Sequence, residues 1–165
     1  MIRHAKPLII CAIAISTLMA SSASAATVRE LLSRPGACFA RTYDAAHLRS
    51  HPRQTVRFFS ISTAGAEWRN VETGGGFVAD VGVRFVGRRD TYRTAVVCNT
   101  SPRGGHCDVE GDGGSFEVSP SGTGLRIEVR RIQMEGSRDF SPDVGDGDNR
   151  VIILRPAPRS ACRPS

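Results

Sequence analysis

The sequence has none of the motifs that would name a reaction. There is no G-x-S-x-G elbow, and residues 111–115 hold the letters of the serine-protease G-D-S-G-G motif in the wrong order. Neither a Walker loop nor a dinucleotide fingerprint occurs, because the glycines at 74–76 lead into a predicted strand rather than a helix. These absences argue against nucleotide-dependent enzymes and the common serine nucleophiles. We therefore favour a non-enzymatic protein.

Lysine and long apolar runs are also scarce. Lys6 is the only lysine, so arginine carries nearly all the positive charge. The longest apolar run, residues 8–20, is shorter than the roughly 20 residues that a membrane-spanning helix needs. We therefore expect no stable membrane span.

Residues 1–25 instead have the three parts of an export signal. Arg3 and Lys6 precede the apolar run, and Ala23-Ser24-Ala25 forms a small-x-small cleavage site. We expect this signal to be removed, leaving residues 26–165 as a single β-rich domain that is periplasmic or secreted.

The charge that remains after cleavage narrows the choice of partner. Twenty basic side chains, the 22 of the chain less Arg3 and Lys6, then face 16 acidic ones, which gives a net charge of +4. In an exported protein this charge suits an envelope protein, or an anionic envelope glycan or lipid, and we do not expect a nucleic acid.

The cysteines predict a disulfide framework. Beyond the signal there are four, Cys38, Cys98, Cys107 and Cys162, and an even number in an exported chain indicates two disulfides with three possible connectivities. We favour Cys98–Cys107, across the turn-forming residues 99–106, and Cys38–Cys162, from the first strand to the tail. No pair has the C-x2-C spacing of a structural zinc site.

Local patterns predict a mainly β fold with two short N-terminal helices. A capping box at residues 27–30 begins the first helix, and Asp44 caps a second over residues 45–50. Alternating or continuous apolar residues predict strands at 56–62, 77–86, 92–98, 125–130 and 150–155, with residues after Cys107 forming a strand broken by an acidic, glycine-rich kink. We expect a disulfide-tied antiparallel β-sandwich or small closed barrel of six to eight strands, with an irregular proline-rich tail from about residue 156.

Two acidic loops raise the possibility of calcium. Asp108, Glu110 and Asp112 have the spacing of the start of a calcium loop, with Gly113 at the sixth position, but Ser119 stands where a bidentate glutamate belongs. A second cluster comprises Asp139, Asp143, Asp146 and Asp148. Solvent-facing turns have the same composition. We expect no cofactor, with calcium as the alternative.

A histidine pair supplies the enzymatic alternative. His47 and His51 lie at i and i+4 of the predicted second helix, with Asp44 nearby, a spacing compatible with a metal ligand set. His51 also precedes a proline at the end of that helix, where an imidazole commonly caps a carbonyl.

The chain resembles a known group of proteins in two stretches. The first contains Cys38, Tyr43-Asp44, His47-Leu48 and His51-Pro52, and the second is the run from Cys107 to Gly114. With these the chain is similar to small uncharacterised exported proteins of alphaproteobacteria. The resemblance covers most of residues 26–165 and implies export and a β-rich fold, but it implies no activity.

Together these observations lead to a functional hypothesis. We expect a non-enzymatic binding, inhibitor or accessory module for an envelope component, because small disulfide-tied β domains hold their loops rigidly. The expected binding residues are Arg103 and His106 at the hairpin tip and Asp143, Asp146 and Asp148 in the second acidic loop. A metal-assisted hydrolase that uses His47 and His51 and a calcium-stabilised structural domain are the alternatives.

Overall fold

Eight antiparallel strands, each paired with the next along the chain, form a closed barrel in which β8 returns to β1. The computed structural model describes residues 26–63, 76–136 and 139–163, so the expected export signal and the glycines at 74–75 lie outside the described residues. The strands are β1 (Cys38–Thr42), β2 (Val56–Ser62), β3 (Gly76–Phe85), β4 (Tyr92–Ser101), β5 (Gly104–Val109), β6 (Gly114–Ser121), β7 (Gly124–Ile132) and β8 (Val151–Pro156). The prediction of a mainly β sandwich or barrel is confirmed, and the barrel is the correct alternative.

The helices are α1 (Val28–Leu32), α2 (Ala45–Ser50) and α3 (Arg159–Cys162). The first two begin and cap as predicted, with Thr27 and Glu30 forming the capping box of α1 and Asp44 accepting from the backbone of His47 at α2. Within the described ranges, no helix is both long and apolar enough to cross a membrane.

The barrel interior is filled by side chains. Along β3, Phe77, Ala79, Val81, Val83 and Phe85 face inward and are at most 2% exposed. They alternate with outward residues because successive side chains of a strand point to opposite faces of the sheet. The rings of Phe59 on β2 and Phe116 on β6, on opposite sides of the barrel, also meet inside it, with their centroids 6.5 Å apart. A ligand surface is therefore to be sought on the outside or at the ends.

We call the two ends of the barrel the helix end, where β2, β4 and β6 finish, and the loop end, where they begin. At the helix end, α1 buries Val28, Leu31 and Leu32, and the Thr63 hydroxyl donates to the Leu32 carbonyl over 2.8 Å. At the loop end, the segment between β7 and β8 folds inward and buries Val144 and Asn149 completely.

The disulfides pair as predicted, Cys98 with Cys107 and Cys38 with Cys162. Such bonds are typical of proteins that fold outside the reducing cytoplasm. The predicted turn at residues 99–106 is shorter than expected, because Asn99 still pairs with His106 and the strands continue to Ser101 and Gly104. The predicted kink after Val109 is a complete turn that separates β5 from β6.

The prediction of an irregular tail from about residue 156 did not include α3. Strand β8 continues through Pro156, which pairs with Phe39, and α3 follows it against the outside of β1 and β2. Pro156 is the last residue of β8 and Pro158 is the N-cap of α3, and a proline is tolerated at such terminal positions because its missing N–H needs no partner there. The bond from Cys162 to Cys38 and a hydrogen bond of 2.9 Å from Arg93 to the Cys162 carbonyl hold this helical turn in place.

Candidate functional site

A shallow groove of about 560 Å³ lies at the helix end, on the outer face of β5, β6 and β7 beside the β4–β5 hairpin tip. We call it the hairpin groove. Its lining comprises Asn99, Thr100, Ser101, Arg103, Gly104, Gly105, His106, Glu117, Val118, Ser119 and Glu128. Both residues that we expected to bind at the hairpin tip, Arg103 and His106, line it.

Two glycines allow the hairpin to close against β6. A Cβ atom on Gly104 would lie 2.7 Å from the Val118 carbonyl oxygen, and one on Gly105 would lie 2.9 Å from the Asn99 carbonyl oxygen. Both distances are shorter than van der Waals contact allows, so the strands approach this closely only because side chains are missing there. The nearby Cys98–Cys107 disulfide joins β4 to β5. The groove is therefore a rigid surface.

His106 is held between two carboxylates. Its Nδ1 lies 2.8 Å from Glu117 Oε1, and its Nε2 lies 3.0 Å from Asp108 Oδ1. The hydrogen bond to Glu117, with Asp108 acting in the same direction against partial burial, raises the pKa of His106 above its ordinary value. Because a carboxylate only accepts, both contacts are satisfied together by the imidazolium form.

This histidine sits in a row of polar residues that crosses four strands. Asn99, His106, Glu117 and Glu128 are consecutive partners in the register of β4, β5, β6 and β7. Arg130 lies 3.5 Å from Glu117, and Arg126 forms an ion pair with Glu128. Each carboxylate thus has a basic partner, since Glu117 lies beside His106 and Arg130, and Glu128 lies beside Arg126. The surface offers many hydrogen-bond donors and acceptors, but both ring nitrogens of His106 are engaged, so it is no free general base.

A second groove lies on the other side of the hairpin tip. It has a volume of about 230 Å³ and is lined by Thr27 and Arg29 of the α1 region and by Thr100, Ser101 and Pro102. Thr100 and Ser101 line both grooves, so the hairpin tip forms a ridge between them. The α1 helix, which closes this end of the barrel, thereby also contributes to the candidate site.

The second set of expected binding residues lies elsewhere. Asp143 accepts hydrogen bonds from the backbone of Ile132 and Gly145, at 3.0 and 2.8 Å, and Asp148 pairs with Arg53 at 2.8 Å. Asp146 is exposed, and its carbonyl oxygen accepts from the Asn149 side chain. All three hold the loop at the loop end, and the structure does not bring them together with Arg103 and His106.

The residues proposed as calcium ligands do not converge either. Asp108 is directed at His106, whereas Glu110 and Asp112 lie in the turn between β5 and β6. Among the described residues, no group of three or more His, Cys, Asp or Glu side chains is placed to hold a metal ion.

The histidine pair on α2 does not form a metal site either. Asp44 is occupied as the helix cap, with its Oδ1 2.8 Å from the His47 N–H. The imidazole rings of His47 and His51 stack with centroids 4.1 Å apart and planes 14° from parallel. Ring nitrogens bind metals in the ring plane, so stacked rings do not converge on one ion. His51 Nδ1 also lies 3.0 Å from the His47 carbonyl oxygen, and it therefore caps the helix.

Sequence reasoning missed Glu117 and Glu128, the acidic side of the hairpin groove. Their outward direction follows from alternation with Phe116, Val118, Ile127 and Val129. Their position beside His106 depends on the strand register, which alternation alone does not give.

The chain matches no protein-family model, no curated protein and no solved structure. The candidate site therefore rests on its own geometry.

Proposed function

We propose that the protein is an exported, non-enzymatic binding module that holds an envelope protein at the hairpin groove. The observation that carries this proposal is the mixture of charges on a rigid concave surface, in which Arg103 and His106 line the same groove as Glu117 and Glu128, and His106 pairs with Glu117. The resemblance to exported proteins and the two disulfides support the compartment.

The mixed charge favours a polypeptide partner over the other envelope components. An anionic glycan or lipid surface would meet the carboxylates of Glu117 and Glu128 as well as the arginines, and like charges at close range are unfavourable. A polypeptide carries both signs and its own backbone donors and acceptors, so it can satisfy such a row.

The direct test is site-specific photo-crosslinking in the periplasm. A photoreactive residue at Ser119, in the groove, is compared with one at Ala46 on the exposed α2 helix at the other end of the barrel. We expect one defined envelope protein to be captured from Ser119 and not from Ala46. The proposal fails if both positions capture the same set of proteins.

Variants then test the charges with the captured partner in purified form. We expect Arg103→Ser combined with Glu128→Gln to weaken binding about tenfold or more, since central interface residues commonly contribute over 1 kcal/mol each. The matched control is Arg49→Ser combined with Asp90→Asn, which removes the same charges from exposed positions outside the groove. Equal weakening by both pairs would show that only net charge matters.

A further inference from the structure

Phe140 forms an exposed apolar feature at the loop end, away from the hairpin groove. It is 66% exposed, which makes it the most exposed large hydrophobic residue in the described ranges. A side chain of this size in solvent gives up the stabilisation that burial would bring.

The chain around Phe140 holds it in this position. Glu135 pairs with Phe140, the Gly136 N–H donates to the Asp139 carbonyl oxygen over 2.8 Å, and the Ser141 N–H donates to the Met134 carbonyl oxygen over 2.8 Å. The exposure is therefore a property of a hydrogen-bonded structure and not of a free end.

A side-chain network fixes the same loop to the barrel. Asp139 accepts from the Tyr92 hydroxyl at 3.1 Å and from Arg88 at 2.8 Å. Gly136 packs so closely on Tyr92 that a Cβ atom there would lie 2.7 Å from its ring. Because Tyr92 itself is buried, the loop that carries Phe140 is anchored to the core.

Two grooves of about 340 and 240 Å³ flank Phe140 and share the residues Asp112, Gly113 and Gln133. The larger one reaches down to Val109 and Met134, which are 4% and 1% exposed and give it an apolar base. There is thus room beside the Phe140 ring for an apolar side chain from another molecule.

The rim of these grooves is acidic. Glu110, Asp112 and Glu135 are exposed, and their carboxylates pair with no basic side chain among the described residues. The one arginine in the lining, Arg131, already donates to Gln133 Oε1 at 2.6 Å and to the Asp112 carbonyl oxygen at 3.4 Å. The rim therefore attracts positive charge.

We propose that the Phe140 grooves are a docking surface for a segment of another protein in which a large apolar side chain is flanked by arginine or lysine. The apolar side chain packs beside Phe140 over Val109 and Met134, and the flanking cations meet the three carboxylates. An arginine also stacks favourably on the face of a phenylalanine ring. This surface is separate from the hairpin groove and does not depend on the function proposed for it.

The test is an NMR titration of isotope-labelled residues 26–165 with two defined peptides. The first is Gly-Arg-Leu-Arg-Gly with blocked ends, and the second has glutamate in place of both arginines. We expect the arginine peptide to shift the amide signals of Gly111, Gly113, Gln133 and Phe140, and the glutamate peptide to leave them unchanged. Raising the salt concentration should weaken the binding.

Variants assign the effect to Phe140. Phe140→Ala should weaken binding of the arginine peptide about tenfold, a typical loss for a central aromatic anchor. The matched control is Val151→Ala, which removes an exposed apolar side chain (43% exposed) from the outside of β8 and should leave the affinity unchanged. Both substitutions are at exposed positions, so both proteins are expected to fold.

Four results would overturn the proposal. Two are equal binding of both peptides and an affinity unchanged by Phe140→Ala. The third is self-association of the wild-type chain that Phe140→Ala abolishes, since the occupant would then be a second copy. The fourth is binding to phosphatidylcholine vesicles through Phe140 without binding to the peptide, since a lipid surface would then be the ligand.

Discussion

The two ends of the barrel are closed by different kinds of interaction. At the helix end, Val28, Leu31 and Leu32 pack against the core, and both disulfides lie close by. At the loop end, hydrogen bonds between polar groups contribute much of the closure. Asn149 is completely buried; its side chain accepts from the Val56 N–H at 3.1 Å and donates to Thr55 and Asp146. A disulfide stabilises by restricting the unfolded chain, whereas a buried hydrogen bond that loses its partner leaves an unsatisfied polar group in the folded protein. The two ends should therefore respond to different perturbations.

The largest effect is expected from the disulfide that joins β1 to α3. Cys38 and Cys162 are 124 residues apart, and replacing both with serine should lower the free energy of unfolding by about 5 kcal/mol in the chain-entropy account. Urea denaturation measures this loss.

The shorter disulfide is the matched comparison. Cys98 and Cys107 are 9 residues apart, so replacing both should cost only about 2.5 kcal/mol. Equal losses for the two double variants would show that local packing, and not loop length, sets the contribution of each bond.

At the loop end, Asn149→Ala should cost about 2–3 kcal/mol. It leaves the Val56 N–H buried without an acceptor, which carries the full desolvation penalty of that group, and it removes two further hydrogen bonds. Thermal unfolding checks the value. Asn99→Ala, at an exposed position of β4, is the control and should stay within about 0.5 kcal/mol of the wild type.

The caps of the two N-terminal helices compare the two ends of the barrel through smaller changes in stability. Thr27→Ala removes the cap of α1, whose buried face is part of the core, and should cost about 1 kcal/mol. Asp44→Ala removes the cap of α2, which buries no residue, so the helix can fray without opening the barrel and the global loss should stay below about 0.5 kcal/mol. A larger loss for Asp44→Ala would mean that α2 supports the loop end.

The smallest effect concerns pH at the hairpin groove. The carboxylates raise the folded-state pKa of His106 above about 6.5, its ordinary value, so its stabilising contribution is complete below that pH and is lost as pH rises through the folded-state pKa. His106→Gln should therefore destabilise the protein more at pH 5.5 than at pH 9. The difference should be small, because the histidine side chain is 41% exposed and solvent screens its ion pairs. Equal destabilisation at both pH values would contradict the assignment of His106 as an imidazolium that stabilises the fold.

Local sequence signals were sufficient for the elements but not for their arrangement. The bounds of α2 and β2 follow from a capping aspartate and a run of branched and aromatic residues, both of which act over a few positions. Closure of the barrel depends on two pairs only, Phe39 with Pro156 and Ala40 with Arg155, in a segment whose prolines suggested the opposite. The acidic side of the hairpin groove depends on register between strands, which the whole fold determines.

The order of the strands has a consequence for how the chain acquires its bonds. Every described strand pairs with its neighbour in sequence, and β8 must in addition find β1. Non-local pairings of this kind form late because loop closure is costly in entropy. If the chain leaves the cytoplasm N-terminus first, Cys38, Cys98 and Cys107 are all exposed to an oxidant before Cys162 has emerged. Pairing in order of appearance would then join Cys38 to Cys98, a bond that the native barrel does not contain. Quenching thiols during oxidative refolding should find the Cys98–Cys107 bond formed before Cys38–Cys162, and its appearance last would contradict this order. Maturation in the cell would depend on a disulfide isomerase only where Cys38 pairs with Cys98 before the hairpin bond forms.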